Sequence, residues 1–176
     1  MSPSKPTPST RGDGSTMYVK NSLNPIERKS IATSTMELMQ VDKNPKNTTH
    51  IKLIIVYRNT RITAADEDAF YATPEEILLT QDECFIMGDF NLPHIHCSLQ
   101  RQTLAPGSKL LQLIADNGLS QHVQEPTRQN NILDLVITTE EALLVTLQIK
   151  DKIGDHQAIQ LSPNRKRINY HTKDQL

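Results

Sequence analysis

The 176-residue sequence has no tryptophan, three phenylalanines and four tyrosines, so aromatics make up only 4% of it. A sizeable core is therefore possible only where the aliphatic residues are concentrated. Two cysteines, Cys84 and Cys97, are too few for a disulfide framework, and a reducing compartment is the expectation. No apolar run approaches the roughly 20 residues of a membrane span. The first ten residues are Pro/Ser/Thr-rich and lack the apolar stretch of a signal peptide. Nineteen Lys and Arg offset 20 Asp and Glu, which argues against a strongly basic nucleic-acid binder. These absences exclude a secreted miniprotein and a membrane protein, and leave a single intracellular domain with irregular ends.

The near-neutral total hides a pattern. Residues 1–46 hold seven Lys/Arg and four acids, residues 47–163 eight and fifteen, and residues 164–176 four and one. An acidic centre lies between basic ends. Much of its charge is ordinary solvated surface, as in Asp66, Glu67, Asp68, Glu75, Glu76, Asp82 and Glu83.

Residues 1–16 read as a disordered tail. Arg11-Gly12-Asp13 and the sequon Asn47-Thr48-Thr49 carry no weight without a secretory route. Thr16–Lys20 and Met36–Val41 are short strand candidates, followed by a polar turn over 42–49. Ile51–Tyr57, Cys84–Met87 and Ile132–Thr138 are β-branched or apolar enough for buried strands. Leu143–Ile149 and Gln157–Leu161 are two more. Thr73-Pro74-Glu75-Glu76 has the cap, the proline and the acids of a helix start. Ser108–Asn117 places Leu110, Leu111, Leu113 and Ile114 at helical spacing before Gly118. Strands outnumber helices, and the expected class is a layered α/β domain with a mixed sheet over residues 17–162, leaving 163–176 as a basic linker.

Four places could carry chemistry. Gly88-Asp89-Phe90-Asn91-Leu92-Pro93 follows a buried strand directly, where α/β proteins favour ligand groups, although every one of its polar residues also suits a turn. In Gly154-Asp155-His156 the carboxylate can ligate a hard cation and the imidazolium can meet developing phosphate charge; a loop Asp beside a surface His is the plainer alternative. Asp134 interrupts the apolar run Ile132–Val136 and needs a partner if buried, a His or backbone donors being candidates. Tyr57-Arg58 ends a strand, where it either contacts phosphate or packs at the rim. His94-Ile95-His96-Cys97 lacks a second ligand pair at zinc spacing.

Taken in order, Tyr57-Arg58, CFIMGDFNLPHIH, SKLLQLIADNGLSQHVQEPTRQNNILDLVIT and GDHQAI resemble the endonuclease/exonuclease/phosphatase superfamily. More narrowly they resemble the endonuclease domain of non-LTR retrotransposons of the jockey and chicken-repeat type. RGDGSTMYVKNSLNP is similar to that group's Arg-Gly-Gly-Gly segment, and RKRINYHTKDQL to its basic linker. The resemblance implies a DNase I-like, four-layered α/β sandwich and Mg²⁺- or Mn²⁺-dependent hydrolysis of a DNA phosphodiester. The nick would prime reverse transcription by a domain that a full-length element carries in the same chain. It implies nuclear action, with no membrane. Asp89 would activate water beside Asn91, His156 would stabilise the phosphorane oriented by Asp134, and Asp155 would serve the metal. Tyr57 and Arg58 would contact phosphate, with Thr127 and Arg128 near the DNA.

The group's Asn and Glu that complete the metal site lie upstream of the Arg-Gly-Gly-Gly segment. The expectation is therefore a domain without its first strands and with impaired activity, and the alternative is a non-catalytic nucleic-acid-binding or interaction module. Gly154 stands where the family usually has Ser, and Asn59-Thr60 where it tends to have Pro-Pro. His96-Cys97 replaces a common Asp-Trp. Glu37 lies in a strand that the family places elsewhere and is not expected to replace the missing Glu.

Overall fold

The computed structural model describes residues 15–20, 25–33, 35–43, 51–78, 82–93, 95–96, 101–102, 107–140 and 144–164. In chain order the elements are β1 (Pro25–Ala32), β2 (Met36–Lys43), β3 (Ile51–Arg58), α1 (Ala64–Leu78), β4 (Glu83–Asp89), β5 (Ile95–His96), β6 (Arg101–Gln102), α2 (Ser108–Asp116), β7 (Ser120–Gln121), β8 (Asp134–Thr138), β9 (Leu144–Ile153) and β10 (His156–Pro163). Six strands form one mixed sheet in the order β1-β2-β3-β4-β8-β7. Only β3 and β4 run parallel, and α1 makes the crossover between them. The ribbons β9–β10 and β5–β6 stand apart as two-stranded sheets. The architecture is mixed α/β, as the sequence leads one to expect.

Alternation along β3 decides the layers. Lys52, Ile54, Val56 and Arg58 are buried, while the intervening residues are only partly covered. The buried set meets Met36, Leu38, Cys84, Ile86, Leu135 and Ile137 of the neighbouring strands, and Phe70, Tyr71, Leu110 and Leu113 of the helices, in one core. Phe70 is the hinge of its aromatic part, edge-on to Tyr71 at 5.0 Å and to Phe90 at 6.0 Å. Each fully buried aliphatic side chain contributes about 2 kcal/mol, so concentrating them on the helix side offsets the scarcity of aromatics.

Three expectations need correction. Residues 16–20 are not a strand, and Tyr18 is 91% exposed. The first helix begins well before Thr73: Thr63 is its cap, its Oγ1 accepting the Asp66 N–H at 3.1 Å and its carbonyl the Glu67 N–H at 2.9 Å. Pro74 lies inside that helix, where the sequence pattern reads as a start. Strand β1 has no counterpart in the sequence reading, because PIERKSIA lacks a continuous apolar run. The tripeptide at 11–13, the sequon at 47–49, His94, Cys97 and residues 165–176 lie outside the described residues.

Candidate active site

The carboxyl end of β4 is shaped by Gly88. A Cβ there would lie 2.0 Å from the Val56 carbonyl oxygen, and its φ is +140°, so glycine alone lets β4 lie against β3 at this point. The chain then delivers Asp89 and folds back through Asn91, whose φ is +49°. Asn is among the few residues that tolerate that conformation. The Asn91 backbone N–H donates to Asp89 Oδ1 at 2.9 Å, and its amide Nδ2 donates to Asp89 Oδ2 and to the Arg58 carbonyl, both at 3.0 Å. Both amide protons are thereby used on the protein itself. Asn91 holds the Asp89 carboxylate in place, where the family resemblance implies contact with water or phosphate.

Strand register brings the second carboxylate alongside. Asp134, first residue of β8, is directly opposite Asp89. Its backbone N–H and that of Leu133 both donate to Thr127 Oγ1, each at 3.0 Å. The third group arrives from the β9–β10 ribbon. His156 Nδ1 lies 2.7 Å from Asp134 Oδ2, and His156 Nε2 lies 3.9 Å from Asp89 Oδ2. One ligand atom from each of Asp89, Asp134 and His156 falls within 4.8 Å of the others. Tyr57 is in register with Asp89 across β3 and β4, and Glu37 with Tyr57 across β2 and β3. Glu37, Tyr57, Asp89 and Asp134 thus form one row on the sheet face opposite the helices. Glu37 Oε2 accepts the Ser15 N–H at 2.5 Å. The sequence offered one clue to Glu37: its place in an alternating strand whose register no motif reveals.

Burial raises the Asp89 carboxyl to about 6, the nearby Asp134 charge adding to the rise. The Asn91 N–H, His156 and Arg128 pull in the other direction and do not cancel it. Carboxylates directly opposite across a sheet repel, and a cation between them removes the cost. Asp89, Asp134 and His156 together could hold a metal ion.

Three other residues stand differently from the sequence reading. Arg58 is buried on the helix face, its Nη2 2.7 Å from Glu67 Oε1 of α1, because strand alternation points it away from Tyr57. Thr127 is fully buried and serves β8 through its hydroxyl. Its carbonyl also accepts the Gln157 N–H at 2.6 Å, tying the ribbon to the same loop. Asp155 is outside the metal-capable cluster: it is exposed and its Oδ2 pairs with Arg128 Nη2 at 2.6 Å. Arg128 remains on the rim of the site, close enough for its charge to act on Asp89.

Residues 51–160, more than half of the chain, match the family model described as endonuclease-reverse transcriptase. The chain belongs to that family. Its members are nucleases of the endonuclease/exonuclease/phosphatase type found in retrotransposons. The matched segment begins at β3, includes Asp89, Asn91, Asp134 and His156, and ends within β10. No curated protein matches the chain.

Proposed function

We propose that this chain is a divalent-cation-dependent DNA endonuclease that nicks a phosphodiester to provide a 3′ hydroxyl for reverse transcription. The reading rests above all on one observation: Asp89 and Asp134 oppose each other on adjacent strands with His156 reaching both. Asp89, held by Asn91 and facing His156, is placed to take a proton from the attacking water. Asn91 keeps its oxygens aimed. Asp134 fixes the His156 ring through Nδ1, which leaves Nε2 to donate to a phosphate oxygen as charge grows there. Tyr57, in the same row, donates its hydroxyl to the scissile phosphate, and Arg128 holds a flanking one. Asp89 and Asp134 would hold Mg²⁺ or Mn²⁺, whose charge neutralises the phosphate oxygens.

The reading extends to the whole chain. Residues 17–162 belong to a four-layered sandwich of the DNase I kind, and residues 163–176 lead toward a reverse transcriptase domain. Its substrate would be nuclear DNA.

Supercoiled plasmid decides the matter. Mg²⁺-dependent conversion to the nicked form, absent with EDTA and in Asp89→Ala, is the expected result. If wild type and Asp89→Ala both bind DNA but neither nicks it, the chain is a binding module and the catalytic reading fails.

A further inference from the structure

Among the described residues, three large apolar side chains are exposed: Tyr18, Ile26 and Ile153. Ile153 is beside the site. It closes β9, is 78% exposed, and is the direct cross-strand partner of His156 on β10. Partners in a ribbon project to the same face, so Ile153 stands on the side of the ribbon from which His156 reaches Asp134. Between them lies the turn Gly154-Asp155, Gly154 having φ +73°. The tip is held at two points: Gln157 N–H donates to the Thr127 carbonyl at 2.6 Å, and Asp155 pairs with Arg128 at 2.6 Å. Behind Ile153 the strand carries Lys150, Asp151 and Lys152, all exposed.

A scattered surface aliphatic needs no explanation. This one stands at the end of an anchored two-stranded ribbon, with Lys152 directly before it, next to the group proposed to stabilise the phosphate. A two-stranded ribbon fits a DNA groove, and apolar side chains that touch or part base steps are a known means of gripping a duplex. We propose that the β9–β10 ribbon is a groove-reading finger of duplex DNA. Ile153 packs against the nucleotide beside the scissile bond, and Lys150 and Lys152 contact its backbone. The inference rests on the endonuclease reading for its substrate and adds the contact that aligns it.

The test uses the full chain and a fluorescein-labelled 20-base-pair duplex in EDTA, with affinity read by anisotropy across a salt series. Ile153→Ser is expected to bind roughly tenfold more weakly with an unchanged salt slope, since it loses apolar burial and no charge. The double variant Lys150→Gln/Lys152→Gln is expected to lower the slope of log K against log salt by about 2. Unchanged melting temperatures check that both variants fold. Binding by Ile153→Ser within twofold of wild type, or an unchanged slope in the double variant, overturns the proposal. Plasmid nicking in Mg²⁺ separates this from the catalytic reading. Failure of wild type to nick while Ile153→Ser loses affinity removes the nuclease and keeps the finger; nicking with undiminished Ile153→Ser binding does the reverse.

Discussion

Asp89 and Asp134 face each other directly across β4 and β8 on the sheet face away from the helices. Like charges in that position destabilise a sheet, and only one of the pair has an imidazole at hydrogen-bond distance. Asp89 is left with raised proton affinity and with Asn91 to hold it. Stability given up at one place in the fold is the usual mark of a functional site.

Replacing Asp89 with Asn is expected to stabilise the protein above neutral pH while removing activity. The folded-state pKa is raised, from 3.8 to about 6, so the favourable contribution of the protonated group is complete below 3.8. It declines as the pH rises and is gone above about 6, where the charged form costs about 3 kcal/mol relative to the unfolded chain. Urea unfolding in EDTA should show Asp89→Asn gaining about 1 to 2 kcal/mol at pH 8 and nothing at pH 3. Equal stability of the two proteins at pH 8 would contradict this.

Divalent cations should reverse that order. Mg²⁺ or Mn²⁺ at a hundredfold excess over its dissociation constant stabilises a folded protein by about 2.7 kcal/mol. Wild type should therefore melt at a higher temperature with Mn²⁺ than with EDTA. Asp89→Asn should gain much less, and Asp155→Asn should respond as wild type does. Thermal scans with and without the ion check all three.

Thr127 is expected to behave as a structural residue. Valine in its place strands the Leu133 and Asp134 N–H groups without their acceptor, at a cost of about 2 to 4 kcal/mol. Thr127→Ser keeps the hydroxyl and should remain within about 1 kcal/mol of wild type. Urea midpoints measure both. A Thr127→Val protein of full stability with weakened DNA binding would return the residue to the DNA surface.

Arg58 should likewise matter to folding and not to phosphate. Arg58→Ala leaves the partly buried Glu67 with only Lys109, 3.9 Å away, and should cost about 2 kcal/mol. Arg58→Met combined with Glu67→Leu removes both charges and should restore most of that stability. DNA affinity of the double variant, measured below its melting temperature, should match wild type.

The sequence by itself determined more than its sparse aromatics suggest. The apolar runs at Ile51–Tyr57 and Cys84–Met87 specify two buried strands, because a half-exposed strand would alternate with polar residues. The Gly88-Asp89-Phe90-Asn91 order specifies a turn at a strand end because Gly, Asp and Asn are turn formers and Asn91 accepts a positive φ. These are local constraints, written in neighbouring residues. Which acid joins Asp89 is a different kind of fact. Asp155 adjoins His156 in sequence yet pairs with Arg128, whereas Asp134, 22 residues before His156, holds its ring. The helix start at Thr63 and the burial of Thr127 were equally out of reach, the first masked by a second cap-like motif at Thr73 and the second set by the hydrogen bonds of β8. Tertiary structure decided these points because strand register and ribbon docking, not spacing along the chain, fix which charges share one small volume.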